Sequence, residues 1–593
     1  MPVVFMQGFV GRLFREFGIV IAGAVLISAF VALTLTPMLN AKMVRKTHKK
    51  SRFYIKTEPF FEWMESAYYN SLGSFMKKRW WAFIIIVGSL ILIVIVGNLI
   101  PSELSPTEDR SLLRISTTAP EGASFDYMDA YMQKVSQFLI DSVPEKTASL
   151  TITAPGFSGT GAVNTGIVRL VLTDPDKRKR TQQQLADYIT KSTKKFLAAK
   201  SFIIQEPTIA SGGGSKSAQP IQFVLQAPNF DKLKEKLPIF LDEAYKSKVL
   251  QGVDVNLKFN KPELNITIDR DKAKAVGVSV SDIASTLQLG LSGDRFSYFD
   301  MQGKQYQVMG QLSIADRDEP MDLKSMYVKN NKGEMIQMDN LVTMKEQSSP
   351  PQLYHYNRYE AATVSATPAK GKTIGDGIVE MQRIAKKVLD ESFTTALTGS
   401  SRDYAESSSN IVFSLLLALV LIYLVLAAQF ESFIDPFTII LTTFPLALFG
   451  ALVSLWYFNQ TLNIFSEIGI IMLIGLVTKN GILIVEFANQ LKEEHGKTVR
   501  EAAQQAASAR LRPILMTSIA TALGAMPIAL ALGAGSKSRM AMGIVIVGGI
   551  MLSLMVTLYV IPAIYTYFSK EYVKKSEKQY DPEESISKEI THD

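Results

Sequence analysis

Lys479 is the residue whose type and place most demand a chemical reason: an ammonium near the middle of an otherwise apolar stretch, 465–490. A charge at that depth in a bilayer is expensive enough that function is the default reading, and the side chain is too deep to reach an interface easily. An ammonium there can pair with a carboxylate and be released when that carboxylate takes a proton, so that protonation becomes a switch between two helix arrangements. The carboxylate has to come from elsewhere. Asn480 and Glu486 lie in the same stretch: Asn480 can hydrogen-bond across helices, whereas Glu486, toward the cytoplasmic boundary, reads as a solvated or packing residue. A second group, Gly156, Phe157, Ser158, Gly159, Thr160 and Gly161, is a glycine-rich loop between two predicted strands. It is no phosphate cradle, because no helix and no Gly-Lys-Ser/Thr ending follows it; as composition alone it is a mobile turn. With 0 cysteines there is no disulfide, thiolate metal site or cysteine nucleophile, and His48, His355, His495 and His592 lie far apart. The 23 methionines fall mostly in spans or on helix faces, where packing explains them. No paired carboxylates, nucleophile with base, or cofactor loop occurs at a plausible spacing, so neither an enzyme nor a metal or cofactor site is expected.

The elements that must position Lys479 are membrane spans. Hydrophobic residues make up 47% of the 593 residues and charged residues 20%, a balance that suits a protein part embedded and part soluble. Seven stretches reach the length of about 20 residues that a crossing helix needs: 18–39, 80–100, 411–428, 436–458, 465–490, 513–532 and 542–568. The first, preceded by Arg12 and Arg15, lacks a small-residue cleavage site and is too long for a signal-peptide core, so it is expected to be retained. The formal charge of +8 gathers in runs beside these stretches (Lys42, Arg45, Lys46, Lys49, Lys50, Arg52; Lys77, Lys78, Arg79), a pattern of membrane orientation and not of nucleic-acid binding. The runs place 41–79 in the cytoplasm and 101–409 outside. Lys492, Lys497, Arg500, Arg510 and Arg512 then fall in or near a cytoplasmic loop, and Lys570, Lys574 and Lys575 follow the last span on the same side. Between the first two spans, Phe60, Trp63, Met64, Ala67, Tyr68, Leu72, Phe75 and Met76 recur at helical spacing, which predicts a linker helix lying in the interface.

The external segment opens with strand 112–117, helix 124–141, strands 150–153 and 166–172, helix 182–198 and strand 202–205, the split βαβ order. After the Gly/Ser-rich 211–217 the order restarts with 221–225, 232–245 and 253–259, then breaks off until 361–366 and helix 374–389. The intervening residues, with 266–268, a helix at 280–287 and a turn-rich 330–333, read as a third unit inserted into the second.

Several local runs carry a resemblance: 475–487 (GLVTKNGILIVEF), 510–518 (RLRPILMTS), 427–437 (AAQFESFIDPF) and 533–536 (GAGS). They resemble the resistance-nodulation-division (RND) efflux transporters, in particular their hydrophobe/amphiphile efflux, AcrB-like branch, and the likeness runs from about residue 5 to 569. RND pumps duplicate a block of one span, a large external loop and five spans; by the resemblance this chain is the C-terminal half only. The implied fold is an α-helical membrane protein of seven spans with a large α+β periplasmic region of ferredoxin-like porter subdomains and an inserted docking subdomain. Its divisions are the end of the first repeat (1–40), a linker (41–79), a span (80–100), the first porter subdomain (101–210), the second (211–260 and 351–405), the docking insert (261–350), five spans (409–568) and a tail (569–593).

The implied activity is proton/substrate antiport of hydrophobic or amphiphilic compounds across a bacterial inner membrane, with the proton gradient as energy source and no cofactor. The implied partners are the missing N-terminal half, two further copies in a homotrimer, a periplasmic adaptor and an outer-membrane channel. The resemblance adds Arg510 and Thr517 to Lys479 as proton-relay residues; seven apart, the two share a helix face. Arg510 also suits a plain positive-inside anchor, and Arg512, just before Pro513, suits that role better. The aspartates that would complete the relay belong to the first repeat. Gly156, Phe157, Ser158 and Gly159 match the substrate gate loop, with Phe157 its aromatic tip and glycines that let it move. Where multidrug members carry phenylalanines near that loop, this sequence has Leu150, Pro155 and Arg169, which implies a narrower or more anionic substrate set. A truncated non-transporting fragment or scaffold and an RND-like lipid exporter are the alternatives.

Overall fold

The computed structural model describes residues 8–43, 52–106, 108–155, 163–205, 219–350, 352–532 and 536–569. Three helices come first: α1 (Gly8–Met43), α2 (Arg52–Lys77) and α3 (Trp81–Leu99). The first α/β unit follows, with β1 (Leu112–Thr118), α4 (Phe125–Ser142), β2 (Lys146–Thr153), β3 (Thr165–Leu172), α5 (Gln182–Thr193) and β4 (Lys200–Gln205). Its strands lie in the order β2-β3-β1-β4, every pair antiparallel. Helix α4 starts where the Ser124 hydroxyl accepts from the Tyr127 amide, and it buries Met128, Tyr131, Met132, Val135 and Leu139, spaced three and four apart. Fully burying side chains of that size contributes about 1.5–3 kcal/mol each. Helix α5 starts with a reciprocal capping box between Thr181 and Gln184 and ends at Thr193, short of the expected 198. Residues 194 and 198 flank tight turns, and Phe196 tucks back on the core.

The second unit begins with β5 (Ile221–Ala227), α6 (Phe230–Lys246) and β6 (Leu250–Val255). The chain then leaves it for β7 (Lys261–Ile268), α7 (Arg270–Ala275), α8 (Val280–Leu287), β8 (Asp294–Met301), β9 (Lys304–Gly310), α9 (Asp322–Ser325), β10 (Tyr327–Lys329), β11 (Met335–Gln337) and β12 (Val342–Ser349). It returns through β13 (His355–Tyr356), β14 (Tyr359–Pro368), α10 (Ile374–Val388) and β15 (Thr394–Leu397). Strand β14 lies between β5 and β6, and β15 closes the other side of β5, so two stretches distant in sequence share one sheet. The excursion has its own small core of Ala273, Val278, Ile283, Val328, Met338 and Leu341, and β7 pairs with β12 where the chain enters and leaves it.

Five long helices end the described chain: α11 (Gly399–Phe430), α12 (Ile434–Tyr457), α13 (Ile464–His495), α14 (Val499–Ala529) and α15 (Lys537–Phe568). With α1 and α3 they make, among the described residues, 7 helices long and apolar enough to cross a membrane. Helices α12, α13 and α15 form the centre, packed through Ala451, Leu455, Leu473, Val477, Val545 and Ile550. Helix α1 touches α11 and otherwise leaves its apolar window open, with 0% of it buried.

Two boundaries differ from expectation for clear reasons. Helix α14 begins at Val499 and runs straight through Pro513, where the span was expected to start. Thr498 caps it, and Ala502, Ala503, Ala506 and Ala507 favour helix and are fully buried, which outweighs the one hydrogen bond a proline removes. Helix α2 does not lay its whole apolar strip on the interface. Tyr68, Leu72 and Met76 are buried against α14 and α15, and the Tyr68 hydroxyl donates to the Leu558 carbonyl at 2.6 Å, while Phe60 and Trp63 stay exposed.

Candidate functional site

Lys479 lies near the midpoint of the 32-residue α13. Asn463 fixes the start of that helix through a capping box with Ser466, and Gly481 lets it lie close on α12, since a Cβ there would stand 2.8 Å from Ile439. The ammonium points to α14, where Nζ donates to the Thr521 hydroxyl at 3.4 Å. Thr521 in turn donates to the Thr517 carbonyl at 2.7 Å, and the Thr517 hydroxyl to that of Ile514 at 3.2 Å. Lys479 and Thr521 are half-buried and Thr517 is exposed, so the stripe lies open along one side of the bundle. Among the described residues Lys479 has no ion pair with a carboxylate.

Of the three residues proposed for a relay, the structure brings Lys479 and Thr517 onto one stripe, joined through Thr521. Arg510 is further along the same face of α14 and touches neither. Its guanidinium covers the Phe487 ring at 4.5 Å, and its Nε is buried without a hydrogen-bond partner among the described residues. Arg512 has an anchor's contacts: an ion pair with Glu58 of α2 at 3.3 Å and the Phe61 ring at 4.3 Å. Sequence reasoning passed over Thr521, although its place four residues beyond Thr517 was a signal for the same face. It also missed that Asn480 turns the other way. Asn480 is 2% exposed, donates to Ser518 at 3.5 Å, and leaves its Oδ1 buried without a partner among the described residues. Glu486 is exposed on the helix surface.

The four gate-loop residues Gly156, Phe157, Ser158 and Gly159 lie outside the described residues; the strands on either side are well fixed. Thr153 donates to the Asp129 carboxylate at 2.9 Å, Ala154 N to the Thr165 carbonyl at 2.9 Å, and Asn164 Nδ2 to the Ala119 carbonyl at 3.2 Å. Whatever the loop does, it is carried on a rigid frame. Arg169 sits in β3 beyond it, exposed. Among the described residues no group of three or more His, Cys, Asp or Glu is placed to hold a metal ion.

A further contact joins the helix of Lys479 to the α/β units. Residues 101–104 and 461–464 run side by side as a short parallel ladder: Leu462 N donates to the Pro101 carbonyl at 2.9 Å, Glu103 N to that of Leu462 at 3.0 Å, and Ile464 N to that of Leu104 at 3.3 Å. The Thr461 hydroxyl donates to the Glu103 carboxylate at 2.6 Å. Tyr404 of α11 donates to Ser102 Oγ at 2.8 Å, and Gly375 of α10 packs on the same tyrosine. Burial pushes the Glu103 carboxyl above the ordinary carboxylate range, against the smaller opposing effect of the Thr461 hydrogen bond.

Comparison with known proteins agrees with the membrane architecture. The model of a family described as the AcrB/AcrD/AcrF family matches residues 1–569. A Haemophilus influenzae protein described as an uncharacterized transporter is 32% identical over 580 residues, covering 96% of this chain and 55% of the relative. The chain thus spans about half the length of the curated relative it matches.

Proposed function

This chain belongs to the AcrB/AcrD/AcrF family of RND membrane transporters, which are not enzymes, and we propose that it acts as the C-terminal half of a proton-driven efflux pump for hydrophobic or amphiphilic compounds. The observation that carries this reading is the Lys479 ammonium, held half-buried at mid-span on an open polar stripe with Thr521 and without a carboxylate partner among the described residues. A charge so placed favours a partner on another helix. A carboxylate from the N-terminal half, closing over the stripe, supplies it: deprotonated it pairs with Lys479, protonated it lets go, and the two arrangements of α13 and α14 follow the proton. Thr517 and Thr521 offer hydroxyls along the path, and Arg510 sets the positive potential at its cytoplasmic end. The residues 156–159 gate the substrate, and the soluble units face the periplasm of a bacterial inner-membrane protein. The working assembly in this reading is a homotrimer with a periplasmic adaptor and an outer-membrane channel.

The test is efflux of a fluorescent amphiphile from pump-deficient cells that express this chain alone or with a matching N-terminal half. Rescue only with both halves, lost in Lys479→Ala with the protein still in the membrane, is the expected result. Near-normal efflux in that mutant sinks the relay assignment. Stable insertion without rescue favours an inert fragment or scaffold, and rescue of phospholipid export instead makes the chain part of a lipid exporter.

A further inference from the structure

We propose that the turn between α2 and α3, where it meets the end of α15, binds the phosphodiester of an anionic phospholipid, with Arg79 as the residue that holds the phosphate. The proposal stands apart from the efflux reading and needs only the membrane placement of α3 and α15. Arg79 sits at the end of α3 away from the α/β units, in a turn closed by Lys78 N to the Phe75 carbonyl and Trp81 N to the Lys78 carbonyl, both at 3.0 Å. Its side chain reaches across to α15. The guanidinium lies over the Tyr567 ring at 4.3 Å, and Nη1 donates to the Thr566 carbonyl at 3.4 Å and to its hydroxyl at 3.3 Å. Tyr567 is braced in turn by an edge-to-face contact with Phe83 of α3, ring centroids 5.1 Å apart. The arginine is thus oriented before anything binds, which lowers the ordering cost of a ligand contact.

A cation over the last turn of a helix is ordinary as a cap of its orphaned carbonyls. The surroundings of Arg79 exceed that role. Nη1 serves Thr566, while Nε and Nη2 have no protein partner among the described residues and the side chain is exposed. Those two nitrogens form the fork that takes two oxygens of one phosphate. No Asp or Glu occurs between Glu65 and Glu103 or anywhere in α15, and among the described residues Lys77, Lys78 and Arg79 have no ion pair. A run of cations alone would only orient the chain; an apolar track beneath it makes a lipid site. Phe83, Val87, Leu90 and Val94 are exposed at spacings of three and four along one face of α3. Another face, with Ala82 and Ile86, is packed against Leu446 of α12 and Val560 of α15. From 83 to 94 the track runs about 16 Å, about half of the ~30 Å hydrocarbon core and so the depth of one leaflet. Trp80 and Trp81, both exposed, stand at the level where headgroup gives way to chain. A phosphate at Arg79 with its acyl chain along this track satisfies both halves of the site. Lys77 and Lys78 repel the ammonium of a zwitterionic headgroup, so the net-anionic class, phosphatidylglycerol for example, is favoured.

The experiment reads lipid contact from the tryptophan fluorescence of the whole chain in nanodiscs. The chain has 4 tryptophans, and a Trp63→Phe, Trp456→Phe background leaves Trp80 and Trp81 as reporters at the site. Phosphatidylglycerol brominated near its headgroup is mixed into phosphatidylcholine, and matched discs carry the bromine on phosphatidylcholine instead. The brominated phosphatidylglycerol is expected to quench at an about tenfold lower mole fraction, and to keep most of that preference in high salt, where diffuse surface attraction is screened. Arg79→Gln is expected to cut the preference to about twofold, Lys77→Gln to leave most of it, and Arg79→Lys to fall between, since an ammonium keeps the charge but not the fork. Quenching by brominated phosphatidylcholine, the same in every variant, shows that each is inserted with its tryptophans at the boundary. If Arg79 only caps α15, Arg79→Gln leaves the preference unchanged. If the cations act only as diffuse charge, Lys77→Gln and Arg79→Gln lower it equally and high salt abolishes it. Either result overturns the proposal. Excess glycerol 3-phosphate that relieves the quenching assigns the site to soluble phosphate esters and overturns the lipid assignment, whereas quenching that resists it supports a bound lipid. No efflux is measured, so the outcome is independent of the pump reading.

Discussion

Lys479 and Asn480 are adjacent in α13 and serve opposite surfaces, the first a half-open stripe shared with Thr521, the second a buried contact with Ser518. The two should separate on mutation. Thr521→Val keeps the shape of the side chain and removes the hydroxyl that holds the ammonium; in the two-half pump it is expected to lower the efflux rate several-fold without changing membrane content. Asn480→Leu should instead act on stability, since it removes a buried polar group whose Oδ1 has no partner among the described residues; unchanged or higher thermal resistance of the chain in nanodiscs is the expected reading. Arg512→Ala removes the Glu58 pair and the Phe61 contact, and should loosen α2 by about 1 kcal/mol, seen as faster hydrogen exchange in residues 55–65. Lys479 was legible in the sequence because a lone charge among apolar residues has few explanations. Thr521 was not, because hydroxyls in spans usually satisfy their own backbone four residues back, as Thr521 itself does at Thr517. Arg169 drew notice only by likeness, and its place opposite Arg114 of β1 is a matter of strand register, which no local pattern encodes.

At the level of elements, the apolar stretches and the strand-helix order of the first unit could be read directly, because spans and amphipathic helices announce themselves within a short window. The helix at Val280–Leu287 was placed to the residue, framed by its Ser279 capping box. Hairpin β8–β9 was missed although Phe296 and Tyr298 in β8 and Tyr306 and Val308 in β9 alternate with polar residues; every residue of β8 is exposed, so the alternation marks no face of a core. Helix packing offers a matched pair of tests. A Cβ on Gly543 of α15 would meet the backbone of Ala529 and come within 2.7 Å of the Ile528 carbonyl carbon, whereas one on Gly475 of α13 meets nothing within 4 Å. Gly543→Ala should therefore cost about 1–3 kcal/mol through forced separation of α14 and α15. Gly475→Ala should gain up to about 1 kcal/mol from helix propensity, both read by thermal unfolding in nanodiscs. The ladder at 101–104 has a sign that can be worked out. Glu103 has its pKa raised in the folded protein, so its contribution is fully present in acid and is lost as pH rises through the raised value. Amide protection of 101–104 and 461–464 should fall as pH rises from the ordinary carboxylate range through the raised Glu103 value, beyond the intrinsic rate change, and Glu103→Gln should hold it level.

For the whole molecule, the most exposed apolar surface is α1, where Val20, Leu26, Phe30 and Leu33 are all more than half exposed. Nitroxide labels on single cysteines at positions 26 and 33 should be mobile in this chain and become immobilised when the N-terminal half is supplied; unchanged mobility would show that the halves do not meet along α1. The ladder between the α/β units and the helix of Lys479 has a mechanical consequence. Pro101 follows directly from α3, Ile464 opens α13, and Tyr404 and Gly375 bring α11 and α10 to the same joint. With peptide-to-peptide bonds on one side and a capped helix on the other, this joint has little backlash. In the pump proposed above, this joint is where a movement of α13 would reach the α/β units, as a coupling rod between the charge at mid-span and the residues that lead into β1 and α10.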